Sequence, residues 1–320
     1  MRQNRLVKKF VSDMPVVECS PVIWKGRLLI AEVWQTHFES HDIPEGREHY
    51  VRIRDEADGA IVSRCMSGYA YASAFVFNDT FYVFASRKTM NAQGIPEGRG
   101  VNMSCSKDLK QWTEPKCLLD GEPGELLWNQ SVCFDGKRFV MAYETDAFVK
   151  FTIKFAVSYD LINWKKVDGA VFGADRYVAC PAIRYCGGYY YMLYLEYLRP
   201  RWWFETYVAR SRDLINWQLS PYNPVIAPNP NQPVHPMCIK HPSAGSEWNN
   251  KIWLAKDNND FAEPEQCPAR GMECNASDPD LVEINGKTRV YFTGGCQHYC
   301  GLLQYAEFDG SMQEFFESYF

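Results

Sequence analysis

The sequence predicts an all-β fold, a five-bladed β-propeller, on three observations. A turn motif occurs three times at a fixed period, five hairpin patterns recur along the chain, and helical periodicity is scarce. The 320 residues suit one large all-β unit. We therefore expect residues 1–320 to form a single propeller domain.

The repeated motif is Ser-x-Asp-Leu-x-x-Trp, and its aspartates lie 52 and 53 residues apart. Short Ser and Asp side chains hydrogen-bond the backbone of their own turn, and the Trp covers apolar sheet surface. Each copy follows a short strand-like run. The copies are Ser106–Trp112, Ser158–Trp164 and Ser211–Trp217.

Five segments combine an apolar run, a tight turn and a second apolar run rich in Tyr, Phe and Val, which predicts β-hairpins. They cover residues 21–34, 74–86, 131–144, 182–196 and 281–293. A further strand pair after each hairpin gives five four-stranded blades. We expect residues 8–17 and 315–320 to complete one blade together and close the ring.

The spacing of the hairpin turns also predicts an insertion. The first four turns are 53, 57 and 52 residues apart, and the last gap is 98. The excess lies at about residues 221–274, between blades four and five, and is rich in Pro, Asn and His. A long irregular insertion in a compact domain is usually a functional loop or a lid.

Charge and hydropathy exclude two classes of partner. The net charge is −5 and no basic block occurs, which argues against nucleic-acid binding. No apolar run reaches the length of a membrane helix, and the first residues lack the apolar core of a signal peptide. The expected location is cytoplasmic, although a secreted chain after processing would have the same sequence. Nothing in the sequence indicates an oligomeric state.

Twelve cysteines are many for a cytoplasmic protein. We expect them to be reduced, and those in apolar contexts to act as small buried hydrophobic residues; these are Cys65, Cys105, Cys133 and Cys180. A second group has spacings that match no familiar zinc pattern. It contains Cys267, Cys274, Cys296 and Cys300, with His298 beside them. We expect no metal and no cofactor, with a metal site in this group as the alternative.

Carboxylates from four blades are predicted to meet at one mouth of the central channel. Residues just before the inner strand of a blade, and residues at the end of its second strand, surround the same mouth. Glu18 and Asp278 each come eight residues before a hairpin glycine, and Glu144 and Glu196 each come eight residues after one. Because glycoside hydrolysis needs one protonated and one ionised carboxyl, these four are candidate catalytic residues. The alternative is that each carboxylate ends a strand in solvent or pairs with an arginine.

Polar residues near the same mouth are candidates for substrate binding. The amides can hydrogen-bond sugar hydroxyls, Arg184 can hold a carboxylate or adjust a neighbouring pKa, and a histidine above the pocket can donate a proton. The candidates are Asn129, Gln130, Arg184, Asp280, Arg54 and His241. Ion pairing with the abundant acids is the alternative for Arg52 and Arg54, and an exposed loop position is the alternative for His235 and His241.

These repeats, hairpins and carboxylates together resemble the five-bladed propeller glycoside hydrolases. That group contains family 43, with families 32, 62, 68, 117 and 130 as relatives. The resemblance implies an oligosaccharide or glycoside substrate. Family 43 usually has an Asp-Pro at the first inner strand, where this chain has Ser20-Pro21. It has a Glu near the blade-four proline, where this chain has Ala179-Cys180-Pro181. The acid and base of the family therefore do not transfer to this sequence.

The predicted function is an exo-acting glycoside hydrolase. Glu144 or Glu196 is the expected general acid, and Glu18 or Asp278 is the expected base or nucleophile. The alternatives are a catalytically silent sugar-binding propeller, a uronic-acid lyase or a glycoside phosphorylase on the same fold, and an interaction scaffold.

Overall fold

The structure is a computed structural model, and it describes residues 6–11, 18–35, 49–90, 96–148, 151–198, 203–229, 273–296 and 300–320. Within these ranges the chain is β-strand apart from loops and one short helix near the C-terminus. That helix has six residues, and the described residues contain no helix long and apolar enough to span a membrane.

The strands form five four-stranded blades. The first strand, β1 (Val7–Val11), precedes blade one, which contains β2 (Cys19–Trp24), β3 (Arg27–Gln35), β4 (His49–Asp55) and β5 (Ile61–Cys65). Blade two contains β6 (Tyr69–Phe77), β7 (Thr80–Met90), β8 (Pro96–Ser106) and β9 (Lys116–Leu119). Blade three contains β10 (Leu127–Phe134), β11 (Phe139–Thr145), β12 (Thr152–Ser158) and β13 (Trp164–Phe172).

Blade four contains β14 (Val178–Cys186), β15 (Tyr189–Tyr197), β16 (Phe204–Ser211) and β17 (Trp217–Leu219). Blade five contains β18 (Asn275–Ile284), β19 (Lys287–Cys296) and β20 (Cys300–Phe308), with β1 as its fourth strand. Each blade is an antiparallel meander, and the five predicted hairpins are all present. The inner strands of neighbouring blades contact one another around the channel. The predicted five-bladed propeller is confirmed.

The ring closes through both ends of the chain, but only one end does so as a strand. β1 pairs antiparallel with β20, so the predicted contribution of the head is confirmed. The predicted strand at the tail is wrong, because Met312–Glu317 form a helix, α1. Ser311 and Glu314 form a reciprocal capping box that starts this helix. Phe315 and Phe316 are fully buried against blades four and five.

The three repeated motifs connect the third and fourth strands of blades two, three and four. In the second copy, Asp160 Oδ1 accepts hydrogen bonds from the backbone N–H groups of Ile162 and Asn163 at 2.9 and 2.7 Å. The Trp217 ring of the third copy stacks on Phe155 of blade three, with centroids 5.2 Å apart. The predicted role of the motif, a self-bonded turn with a Trp packed on sheet surface, is confirmed.

The predicted insertion coincides with the connection between blades four and five. β17 ends at Leu219 and β18 begins at Asn275. Residues 230–272 lie outside the described residues, so the insertion as a functional loop stays a prediction.

Candidate active site

Irregular positions at the start of four inner strands shape the channel mouth. The pairing register shifts at the same point in β6, β10, β14 and β18, which is the pattern of a β-bulge. The bulges contain Tyr71, Asn129, Cys180 and Asp278, whose φ angles are +56°, +41°, +50° and +51°. Non-glycine residues seldom adopt this left-handed conformation, and strained backbone of this kind clusters at functional sites.

A pocket opens at this mouth. Four blades contribute acidic, amide, thiol or hydroxyl groups to its wall, and blade two adds a small apolar side chain and a hydroxyl. The lining residues are Glu18, Cys19, Ser20, Ala72, Ser73, Asn129, Gln130, Ser131, Cys180, Pro181, Asp278, Pro279 and Asp280.

Glu144 lies beside this pocket and is only 3% exposed. Its Oε2 accepts hydrogen bonds from the Cys180 backbone N–H at 2.9 Å and from Asn129 Nδ2 at 3.0 Å. Burial raises the pKa of Glu144 to about 7, and the nearby charge of Asp278 adds to this shift. Both of these donors bind Oε2. Glu144 therefore has one anchored oxygen and one oxygen that can carry a proton near neutral pH.

Asp278 stands on the other side of Cys180 from Glu144. The Cys180 thiol donates a hydrogen bond to Asp278 Oδ1 at 2.8 Å, and the Ser277 hydroxyl donates to Oδ2. Burial, followed by the charges of Asp278 and Glu144, raises the pKa of the Cys180 thiol well above its usual value. The thiol therefore stays protonated and able to donate. Two such donors stabilise the ionised form of the Asp278 carboxylate.

Asp280, which lines the pocket, forms an ion pair with Arg184. Arg184 Nη2 contacts Asp280 Oδ1 at 2.5 Å, and the Ser20 hydroxyl donates to Oδ2 at 2.6 Å. The remaining guanidinium contacts are with the carbonyls of Ile183 and Leu281 at 2.8 Å and with Ser131 Oγ at 3.5 Å. This arrangement leaves the charge of Arg184 engaged with the protein.

Gln130 and Arg54 also have partners within the protein. Gln130 Nε2 donates to the carbonyls of Tyr71 and Phe84 at 2.7 and 2.8 Å, so this amide ties blade three to blade two. Arg54 pairs with the fully buried Glu32, which also binds Arg52 Nε at 2.7 Å. Arg54 is not among the residues that line the pocket. Arg52 and Arg54 therefore form ion pairs, which is the alternative stated for them in the sequence analysis.

The expectation that Glu144 and Glu196 occupy equivalent positions is wrong. In blade three the residue before the bulge, Trp128, pairs with Glu144, whereas in blade four the corresponding residue pairs with Leu195. The cause is the place of the glycine in its turn. Gly136 is the second of four turn residues and lies before the midpoint, whereas Gly188 is the second of two and lies after it. A position counted from the glycine is therefore offset by one residue between the two blades, and because side chains alternate along a strand, the two glutamates lie on opposite faces.

Glu196 consequently lies on the side of blade four that faces blade three, together with Tyr190, Met192 and Tyr194. Arg176 Nε contacts both of its carboxylate oxygens, at 2.9 and 3.2 Å. Burial raises the pKa of Glu196, and the ion pair opposes that shift. Neither Glu196 nor Glu144 is among the residues that line the pocket. Glu144, however, binds two lining residues, Asn129 and Cys180, whereas Glu196 binds Arg176.

Some of the remaining predicted residues lie outside the residues that the structure describes. His235, His241 and Cys267 lie outside the described residues, as do the side chains of Cys296 and Cys300. Cys274 is fully buried. Among the residues that are described, no group of three or more His, Cys, Asp or Glu side chains is arranged to hold a metal ion.

Several residues that line the pocket were not predicted from the sequence, among them Cys180 and Ser73. Cys180 was expected to be a small buried hydrophobic residue, but it lines the pocket between the two carboxyl groups. Its position eight residues before Gly188 matches the count that selected Glu18 and Asp278, and this count was the available signal. Ser73 carries no such signal, because a serine in a strand is ordinary. Of the other cysteines in that group, Cys133 is buried and Cys65 and Cys105 are partly buried.

Comparison with solved structures places this fold among glycoside hydrolases. One solved glycoside hydrolase has a TM-score of 0.62 and 14% sequence identity, over 95% of this chain and 91% of its own. The catalytic domain of the Coprinopsis cinerea GH62 α-L-arabinofuranosidase has a TM-score of 0.59 and 11% identity, over 96% of this chain and 98% of its own.

The chain has the fold of the five-bladed propeller glycoside hydrolases. A xylan β-1,4-xylosidase from Bacillus halodurans also matches, with a TM-score of 0.59 and 13% identity over 92% of this chain and 53% of its own. No protein-family model and no curated protein sequence matches the chain. Identities this low establish the shared fold, and the reaction must be argued from the residues of the pocket.

Proposed function

We propose that the protein is a glycoside hydrolase that removes a terminal sugar held in the mouth pocket. The observation that carries this proposal is the hydrogen-bonded group of Glu144, Cys180 and Asp278. It combines a carboxyl group with a pKa raised to about 7 and a second carboxylate held by two donors. Pairs of carboxyl groups with separated proton affinities supply the acid and the base of glycoside hydrolysis.

In the proposed reaction, Glu144 donates its proton from Oε1 to the glycosidic oxygen as the bond to the leaving group breaks. Its Oε2 remains fixed by Asn129 and the Cys180 N–H, which orients the carboxyl group. Asp278 acts at the anomeric centre as the ionised carboxylate: it either accepts a proton from the water whose oxygen bonds the anomeric carbon, or bonds that carbon itself until water, deprotonated by Glu144, replaces it. Glu18 lines the same pocket and adds negative charge where the sugar develops positive charge.

The lining of the pocket supports an uncharged sugar as the substrate. The described residues that line the pocket include no Lys, Arg or His. Arg184, which a phosphorylase or a uronic-acid lyase would use to hold an anion, is engaged by Asp280. Hydrolysis of an uncharged glycoside is therefore the activity that these residues favour.

The test is turnover of 4-nitrophenyl glycosides, beginning with the α-L-arabinofuranoside and the β-D-xylopyranoside. We expect the wild type to release 4-nitrophenol. We expect Glu144→Gln to lower kcat at least ~100-fold with little change in sugar binding, as for the loss of a general acid. A protein that binds arabinose or xylose, turns over no glycoside of a broad panel, and binds equally well as Glu144→Gln is a silent sugar-binding propeller.

A further inference from the structure

We propose that Ser73 is a specificity-determining residue, and that its hydroxyl group binds a hydroxyl of the sugar in the mouth pocket. This inference rests on the proposed function and adds a contact that decides which sugar is accepted. It is based on a comparison of three serines that occupy corresponding positions in consecutive blades.

The three serines are Ser20, Ser73 and Ser131, and all of them line the pocket. Ser73 and Ser131 are the first residues to resume regular pairing after the bulges of β6 and β10. Ser20 follows Glu18 by two residues, the same interval that separates Ser73 from Tyr71. The fold therefore presents the three hydroxyl groups at one level of the channel.

Two of these hydroxyl groups already have partners. Ser20 Oγ donates to Asp280 Oδ2 at 2.6 Å, and Ser131 Oγ accepts from the Ile183 N–H at 3.1 Å and lies 3.5 Å from Arg184 Nη1. Through Asp280 and Arg184, these contacts connect blades one, five, four and three. The hydroxyl groups of Ser20 and Ser131 are thus used to hold neighbouring blades together.

Ser73 differs from both. Ser73 is 9% exposed, and its Oγ has no hydrogen-bond partner within the described part of the chain. Buried hydroxyl groups without a partner are costly and uncommon in folded proteins. A rotation about the single χ1 torsion redirects this hydroxyl, and staggered alternatives are close in energy for serine. Ser73 can therefore turn its hydroxyl group towards a ligand at little cost.

The chemistry of the surrounding wall indicates what that ligand group is. Ala72 gives the blade-two side a small apolar surface, and the described lining residues carry no positive charge. A serine hydroxyl both donates and accepts, as does a sugar hydroxyl, so the two are complementary. A site that hydrogen-bonds a substrate hydroxyl rejects an analogue that lacks it more strongly than an apolar site discriminates by size.

The test compares Ser73→Ala with the matched variant Ser131→Ala. Kinetics are measured with 4-nitrophenyl β-D-xylopyranoside, 4-nitrophenyl α-L-arabinofuranoside and their 2-deoxy and 3-deoxy analogues. Ser73→Ala is expected to raise KM about tenfold with a small change in kcat, the loss of one neutral hydrogen bond. One deoxy analogue should lose no further affinity in Ser73→Ala, because its missing hydroxyl is the bound one.

Thermal unfolding separates a ligand contact from a structural role. Ser73→Ala should keep the wild-type Tm, since it removes an unpaired hydroxyl, whereas Ser131→Ala should lower Tm because the Ile183 N–H loses its acceptor. A fall in Tm for Ser73→Ala as large as that for Ser131→Ala overturns the inference. An unchanged KM for every substrate also overturns it and leaves the proposed hydrolase intact.

Calorimetric titration with xylose and with arabinose covers the case in which no glycoside is hydrolysed. Weaker binding by Ser73→Ala without turnover in the wild type rejects the hydrolase and supports the contact. Equal binding by wild type and Ser73→Ala rejects the contact.

Discussion

The thiol of Cys180 donates a hydrogen bond to Asp278 Oδ1 at 2.8 Å, and the backbone N–H of the same residue binds Glu144. One residue thus connects the two carboxyl groups to which we assign the reaction. Both contacts depend on the bulge of β14, where Cys180 has a φ of +50°. The bulge directs the backbone N–H to one side and the thiol into the pocket.

Replacement of the Cys180 side chain should test its contact with Asp278 without removing the backbone contact with Glu144. Cys180→Ala removes the donor to Asp278 and retains the backbone N–H that binds Glu144. We expect Cys180→Ala to lower kcat/KM about tenfold, because the Asp278 carboxylate loses a hydrogen bond worth roughly 1.5 kcal/mol. Cys180→Ser, which restores a donor, should lie close to wild type. If Cys180→Ser loses as much activity as Cys180→Ala, the thiol contributes through its packing in the pocket and not as a hydrogen-bond donor.

Glu144→Gln should lower kcat by ~100-fold or more, and Glu196→Gln should lower it by less than about threefold. Both glutamates follow a hairpin glycine by eight residues, but only Glu144 contacts Cys180 and Asn129. The assay is 4-nitrophenol release at saturating substrate. Equal losses in the two variants would contradict the assignment of Glu144 as the proton donor.

The basic limb of the activity profile should report Glu144. Because burial raises the pKa of Glu144 to about 7, the protonated donor is lost as pH rises through that value. Activity should therefore fall above about pH 7, and the residual activity of Glu144→Gln should lack this limb. A basic limb that persists unchanged in Glu144→Gln would assign the titration to another group.

The same carboxyl group should make the free energy of unfolding depend on pH. The pKa of Glu144 is raised from 4.5 to about 7, so its stabilising contribution is complete below pH 4.5 and is lost as pH rises through 7. The shift corresponds to about 3 kcal/mol. In urea titrations between about pH 4.5 and 8, wild type should lose this amount relative to Glu144→Gln. Parallel curves for the two proteins would show that Glu144 does not titrate in this range.

Arg184→Met should destabilise the protein by about 3 kcal/mol, because the buried Asp280 carboxylate loses its cation. The two side chains are 19% and 10% exposed. Glu122→Gln is the control: Glu122 has a side chain that is 73% exposed and pairs with Lys166, and exposed pairs contribute less than about 1 kcal/mol. The free energy of unfolding from urea titration measures both variants. A loss in Arg184→Met no larger than that in Glu122→Gln would mean that the Ser20 hydroxyl and the Leu281 N–H, which also bind Asp280, are sufficient partners for this carboxylate.

The sequence by itself determined the blades. The period of the Ser-x-Asp-Leu-x-x-Trp motif and the alternation in the five hairpins are local properties, because turn chemistry and strand patterning depend on neighbouring residues. The same counting brought Glu18 and Asp278 to one mouth, since their distance from the hairpin glycine is equal in blades one and five. It failed at the tail, where the capping box of Ser311 and Glu314 begins a helix.

Only the tertiary structure decided which carboxyl groups share the pocket and what each one binds. Glu144 and Glu196 lie equally far from the hairpin glycine, but the different turns of blades three and four offset their pairing by one residue, which places them on opposite faces. The partners of Asp280, Glu196 and Cys180 come from other blades or other loops, at sequence separations that no local pattern encodes. The raised pKa of Glu144 and the unpaired hydroxyl of Ser73 depend on burial and on residues distant in sequence. Both properties are therefore fixed only in the folded propeller.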